Sequence, residues 1–250
     1  RDRHRRFLVE GPQGVREAVR HAPGRVLDVY LTEAALERHS EIWDEAVAAG
    51  LYVHVTTQQV MDAMSPDAQG LLAVVATEEA TGSEALAAAL EGARLVAVLT
   101  QAQDPGNAGT IIRAADAAGA DAVVLVRGSV DPTAPKVVRS TAGSLFHLPV
   151  VTGVALDDAV TALHNAGLTV LAADGRGDFD LFEAESLLEA PSAWLLGNEA
   201  HGLPSEALSR ADAVVSIPIY GKAESLNVAA AAAVCLYASA RAQAQNSGRS

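Results

Sequence analysis

Two loops near the carboxy-terminal end concentrate the residues able to do chemistry: Gly197-Asn198-Glu199-Ala200-His201-Gly202, and Ile217 to Asn227 with Gly221, Lys222, Glu224 and Ser225. Each follows or overlaps a short apolar run, Ala193-Trp194-Leu195-Leu196 or Ala213-Val214-Val215-Ser216-Ile217, and so reads as the exit of a buried strand. Glycine-bearing loops at strand ends build the ligand crevice of an open α/β sheet. A third stretch, Gln103 to Asp116, puts Asn107 where a helix N-cap is expected and Arg113 on a helix with little other charge. Free backbone N–H groups and the positive end of a helix dipole favour an anionic group at such a start. Arg113 also suits a plain i,i+3 pair with Asp116, worth under ~0.5 kcal/mol.

Several chemistries have no residues to carry them. No G-x-G-x-x-G follows a strand, since Gly175-Arg176-Gly177-Asp178-Phe179-Asp180 lacks the third glycine. Walker, G-x-S-x-G and H-E-x-x-H patterns are missing. The seven histidines are scattered singly and the one cysteine, Cys235, sits in an alanine-rich helical run, so neither a metal site nor a disulfide is expected. A ligand in the crevice would be held mainly by loop backbone.

The elements that must position these loops alternate along the chain. Strand Phe7–Glu10, a helix from Gly11-Pro12 through Ala22, strand Val26–Leu31, helix 33–48 with Leu36, Ile42 and Val47 inward, strand Leu51–Val55, helix 57–64 and strand Leu71–Ala76 make a small α/β unit over residues 1–77. Residues 78–92 read as a linker, opening with the small, polar, acidic Thr77 to Ser83. Over 93–245 the alternation lengthens: strand Leu95–Thr100, helix Gly106–Ala118, strand Ala122–Val126, helix Thr133–Thr141, strand Leu148–Val151, helix 155–166, strand Leu168–Ala173, the two strands above, and a terminal helix 225–243. Strands separated by helices imply a parallel sheet covered on both faces. Trp194 and Phe146 could stack a base but fall in strand-like runs, which favours core positions.

Charge is uneven. The net charge of −13 argues against indiscriminate phosphate binding, yet residues 1–25 hold seven arginines against three acids. Arg3, Arg5 and Arg6 belong to that basic arm, and because the chain begins at Arg1 rather than Met, more of the arm is expected ahead of it. No apolar run approaches the ~20 residues that cross a bilayer and the amino terminus lacks a signal pattern, so a cytoplasmic protein with no membrane partner is expected.

Taken together, Asn107-x-Gly109-x-x-x-Arg113-Ala114, Leu196-Gly197-Asn198-Glu199-x-x-Gly202-Leu203 and Ile217-Pro218-Ile219-x-Gly221-x-x-x-Ser225-Leu226-Asn227-Val228 resemble the sequential motifs of the SpoU/TrmH family of RNA ribose 2'-O-methyltransferases. The resemblance spans roughly residues 95–245. The front unit resembles the L30e-like substrate-binding domain of ribosomal-RNA members, through Gln69-Gly70-Leu71-Leu72-Ala73-Val74. The stretch Arg139 to Pro149 is most similar to the subgroup that methylates a guanosine of large-subunit rRNA.

The resemblance implies S-adenosyl-L-methionine (AdoMet) as methyl donor, RNA as partner, a homodimer with composite sites, and a carboxy-terminal trefoil knot in which the chain after Ser192 passes through an earlier loop. It assigns cofactor binding to Gly197, Ile217 and Leu226, with Thr141 at the lip of the pocket. It gives Arg113 the role of activating the ribose hydroxyl, Asn107 that of orienting Arg113 or the ribose, Glu199 that of fixing its loop, and Ser225 with Asn227 that of positioning the loops. Capping is the plain alternative for the polar residues, and Ser225 would suit as N-cap of the last helix. A guanidinium stays protonated at physiological pH, so Arg113 is expected to bind substrate phosphate and hydroxyl together and stabilise the developing alkoxide. Arg139 and Lys222 are candidate phosphate contacts, within a patch that also includes Arg127 and Lys136.

Other functions stay open on the residues alone. Within the same chemistry are an antibiotic-resistance rRNA methyltransferase and a tRNA 2'-O-methyltransferase. Outside it are an RNA-binding ribosome assembly factor without turnover and a nucleotide-dependent doubly wound enzyme.

Overall fold

The computed structural model describes residues 5–77, 80–198 and 202–247. It divides into two compact units, Arg1–Glu79 with Asp131–His147, and Ala80–Val130 with Leu148–Ser250.

In the first unit β1 (Arg6–Glu10), α1 (Pro12–His21), β2 (Val26–Thr32), α2 (Glu33–Arg38), α3 (Ser40–Ala48), β3 (Tyr52–Thr56), α4 (Gln58–Met64) and β4 (Leu71–Ala76) follow one another. The sheet order is β1-β4-β2-β3, with β4 antiparallel to both neighbours and β2 parallel to β3. Phe7, Val9, Val15, Val19, Leu31, Ile42 and Leu71 are buried in its core. The single helix expected over 33–48 is broken at His39, whose φ of −135° and ψ of 43° leave the helical region. After the break Ile42 and Ala46 point inward, and Val47, expected inside, is 52% exposed.

The chain then forms α5 (Gly82–Ala89), β5 (Leu95–Leu99), α6 (Pro105–Ala117), β6 (Ala122–Leu125), α7 (Pro135–Thr141), β7 (Val150–Val151), α8 (Leu156–Asn165), β8 (Thr169–Ala173), β9 (Phe179–Asp180), α9 (Glu185–Leu188), β10 (Ser192–Leu196), α10 (Ser205–Arg210), β11 (Ala213–Ser216) and α11 (Val228–Ser247). Of these, α7 lies in the first unit. The strands make one parallel sheet in the order β7-β6-β5-β10-β8-β11-β9. Strands made late are inserted between early ones: β10 pairs with β5 and β8, and β11 with β8 and β9.

Alternation along the strands splits this core between two faces. Ala193 and Leu195 join Val96, Val98, Val124, Leu86 and Leu163 in one buried cluster. Leu86 brings α5 into that cluster, so part of the stretch expected to link the units is a packed helix. Trp194 is fully buried and donates Nε1–H to Ser239 Oγ on α11 at 2.9 Å, which fulfils its core reading. Gln243 fastens the same helix, donating to the carbonyls of Arg94 and Ala190 at 3.1 and 3.0 Å. The short α9, α10 and β9 were not anticipated, because runs this brief carry too few periods to register.

Candidate active site

Asp104, not Asn107, caps α6. Its Oδ1 accepts the Asn107 backbone N–H at 2.7 Å, and Pro105 occupies the first helical turn, where no N–H is required. The Asn107 side chain is thereby released to accept, through Oδ1, from Asn227 Nδ2 at 3.1 Å. Asn227 Oδ1 in turn accepts from Ala229 and Ala230 N–H at 2.9 and 3.3 Å. So Asn227, rather than Ser225, caps α11, which begins at Val228. One side chain thus ties together the amino-terminal ends of two long helices.

Beside it lies a cavity of about 780 Å3, lined by Ala173 and Asp174 after β8, Gly197 and Asn198 after β10, Ser216 and Ile217 after β11, and Ser225, Leu226 and Asn227 before α11. These are the carboxyl ends of adjacent parallel strands, the location expected of a ligand site in such a sheet. The volume falls within the range of small-molecule and cofactor sites. Gly197 is where side-chain bulk is least tolerable: a Cβ there would lie 2.5 Å from the Gly202 carbonyl carbon and 2.6 Å from Leu203 N. Asn198 and Gly202 close their loop with reciprocal backbone bonds of 3.0 and 2.8 Å.

Several contacts brace the cavity floor. Thr100 donates both N–H and Oγ–H to the Leu196 carbonyl, and Asn198 Nδ2 donates to the Gln101 carbonyl at 2.9 Å. The loops after β5 and β10 are therefore locked to one another. Asp174, at the cavity edge, is bonded by Arg176 (3.0 Å), which holds its carboxyl below the usual range. Sequence reasoning missed Asp104 and Asp174; the D-P dipeptide at 104–105 is a helix-start signal that could have revealed the first.

Five expected site residues, Gly197, Ile217, Ser225, Leu226 and Asn227, line this cavity, and Asn107 is bonded to one of them. Arg113 is exposed on α6 and is not among the lining residues. Lys222 is exposed in the loop before α11. Thr141 belongs to the first unit, where it is buried with its hydroxyl donated to the Val138 carbonyl at 2.7 Å. Arg139, in the same unit, pairs with Glu10 and with Asp67 (3.1 Å), so two carboxylates already engage its charge. Arg5 and Arg6 are exposed at the start of β1, while Arg3, Glu199 and His201 lie outside the described residues. Phe146 is buried and stacks on Phe7 at 6.4 Å, which makes it core.

This fold is similar to that of RNA-modifying methyltransferases of known structure. The SpoU methyltransferase AviRb from Streptomyces viridochromogenes superposes with a TM-score of 0.82 at 28% identity, covering 98% of this chain and 93% of that one. The AdoMet-bound rRNA methyltransferase from Sinorhizobium meliloti gives 0.79 at 30% identity, covering 96% and 89%. The SpoU rRNA Methylase family model matches residues 94–237, and the model for RNA 2'-O ribose methyltransferase substrate binding matches residues 8–81. The chain belongs to the SpoU rRNA methylase family. Among its relatives, the 23S rRNA (guanosine(2553)-2'-O)-methyltransferase RlmP of Bacillus subtilis is 35% identical over 236 residues, covering 92% of this chain and 87% of that protein. The 23S rRNA (uridine(2479)-2'-O)-methyltransferase of Streptomyces viridochromogenes is 34% identical over 255 residues, covering 96% and 84%.

Proposed function

We propose that this protein methylates a ribose 2'-OH of 23S rRNA, with AdoMet as donor and a guanosine as target. The observation that carries the reading is the cavity at the ends of β8, β10 and β11, coupled through Asn227 to Asn107 on α6. Its lining suits the cofactor: Ile217 and Leu226 offer apolar surface, Gly197 leaves the backbone accessible, and the exposed Glu224 carboxylate complements positive charge. When bound, AdoMet supplies an electrophilic sulfonium methyl group.

The protein's part is positional and electrostatic. A ribose hydroxyl is a weak nucleophile, so it must be held in line and its developing negative charge stabilised. The Arg113 guanidinium fork binds the hydroxyl and the adjacent phosphate together, and the linked helix starts of α6 and α11 add positive potential. Arg113 is supplied to each cavity by the second copy of a homodimer. Support comes from its exposure on α6 and its absence from the cavity lining of its own chain. Ser225, in the cavity lining, shapes the loop before α11.

Residues 1–77 collect the RNA and residues 93–245 perform transfer, a division supported by the two family-model spans. The segment after Ser192 threads an earlier loop as a trefoil knot, a reading supported by the insertion of β10 between β5 and β8. No described helix is long and apolar enough to cross a membrane, and we place the protein in the cytoplasm with the ribosomal precursors it modifies.

Transfer of tritiated methyl from AdoMet to 23S rRNA, followed by mass mapping of the product, tests the function. Label on a base, or none on RNA, overturns it. Modification of a uridine instead would support a second reading, favoured by the 34% identity to the Streptomyces viridochromogenes uridine enzyme.

A further inference from the structure

We propose that Glu17, His21 and His147 form a zinc(II) site in the first unit, separate from the methyl-transfer cavity. Single histidines far apart in sequence gave no reason to expect it. Glu17 and His21 lie four residues apart on α1 and so share one face of the helix. His147 arrives from 130 residues away, directly after the 3-10 turn Ser144–Phe146.

The donor atoms converge. Nε2 of His147 lies 2.9 Å from Glu17 Oε2, and Nε2 of His21 lies 3.2 Å from the same oxygen. All three donor atoms lie within 4.8 Å of one another. Around a tetrahedral zinc with ligands at about 2.0–2.1 Å, neighbouring donors are about 3.3 Å apart, so movements of a few tenths of an ångström to about an ångström would complete the set. Two imidazoles and a carboxylate are borderline-to-hard donors suited to zinc, with the fourth position left to water.

The surroundings are built to hold this approach. Gly143 adopts a φ of +98°, and a Cβ on it would fall 2.4 Å from Glu17 Cγ, so a side chain there would displace the carboxylate from the histidines. Phe146, beside His147, is fixed by stacking on Phe7 and by the Arg25 guanidinium 5.9 Å above its ring. The Glu17 side chain is 19% exposed and that of His21 49%, which leaves a solvent route for the ion. Zinc here would clamp the segment Asp131–His147 to α1.

The test is zinc titration of the chelator-stripped full chain by calorimetry, with cobalt(II) absorption as a second readout. The expected result is one equivalent per chain at micromolar or tighter affinity, a four-coordinate cobalt spectrum, and a raised melting temperature. His147→Gln and the more exposed His21→Gln should each weaken binding at least tenfold, whereas His164→Gln, at a histidine paired with Asp212, should leave it unchanged. No saturable binding, or binding that survives both His21→Gln and His147→Gln in variants with native circular dichroism, overturns the proposal. Neither readout depends on methyl transfer.

Discussion

Asn227 donates to Asn107 across 120 residues of chain, and the same side chain that makes this bond caps α11. The start of the helix bearing Arg113 is therefore held by the residue that borders the cavity. Asn107→Ala should remove the bridge, whereas Asn227→Ala should remove the bridge together with a cap worth about 1 kcal/mol. Thermal melts should show the larger loss for Asn227→Ala, by about 2–4 °C for each kcal/mol in a chain this size. A double-mutant cycle on binding of S-adenosylhomocysteine should give a coupling of about 0.5–1.5 kcal/mol. Purely additive effects would mean that the bond does not link the helix to the cavity.

Arg113→Lys keeps the charge but loses the planar two-pronged donor. Single-turnover transfer should fall by about 100-fold or more, a loss typical of removing a transition-state donor. Binding of S-adenosylhomocysteine should change little, since the role proposed for Arg113 is to hold the ribose hydroxyl and phosphate rather than the cofactor. Transfer at the wild-type rate would remove Arg113 from the chemistry. Mixing Arg113→Lys with a cavity-defective variant should restore activity if sites are shared across a dimer.

The two loop glycines should differ sharply. At Gly197 an added methyl would overlap the backbone of Gly202 and Leu203, while at Gly221 nothing lies within 4 Å. Gly197→Ala should abolish detectable binding of S-adenosylhomocysteine by calorimetry and lower stability by about 1–3 kcal/mol, the range for overpacking. Gly221→Ala should leave the fold unchanged to within about 0.5 kcal/mol. Equal effects would contradict the close approach at Gly197.

Burial pushes the Cys235 thiol up to about 12 from an ordinary 9.0. Below pH 9 the thiol is protonated whether the chain is folded or not, so stability is unaffected there. Between about pH 9 and 12 the unfolded chain releases this proton while the folded chain keeps it, so stability should fall as pH rises. Thiol labelling at pH 8 should be negligible in the native protein and complete in denaturant. Fast native labelling would show that α11 opens easily.

RNA affinity in so acidic a chain must depend on local basic groups. Deleting residues 1–6 or replacing Lys222 with Ala should weaken binding to a 23S rRNA fragment and flatten its salt dependence by about one unit of slope for each phosphate no longer neutralised. Arg139→Ala should have less effect on binding than on stability, because Glu10 and Asp67 already hold that guanidinium. A salt-independent affinity would rule out the arm as a phosphate-binding element.

The alternation of the longer strands and helices, the crevice-forming loops and their glycines were legible in the chain itself, because apolar periodicity and turn-forming residues are local signals. Leu196-Gly197 and Ile217-Pro218 marked the strand exits that do line the cavity. Local signals do not reach contacts between residues more than a hundred positions apart. Tertiary structure decided that Asn107 and Asn227 bridge the starts of two helices. It decided that Arg139 is spent on carboxylates and that Asp131–His147 packs with the first unit. It also brought His147 to the helical pair Glu17 and His21, from which it is separated by more than a hundred residues. A side chain's partner is set by which backbone segments the packed core brings within about 3 Å, and that distance is a property of the whole fold.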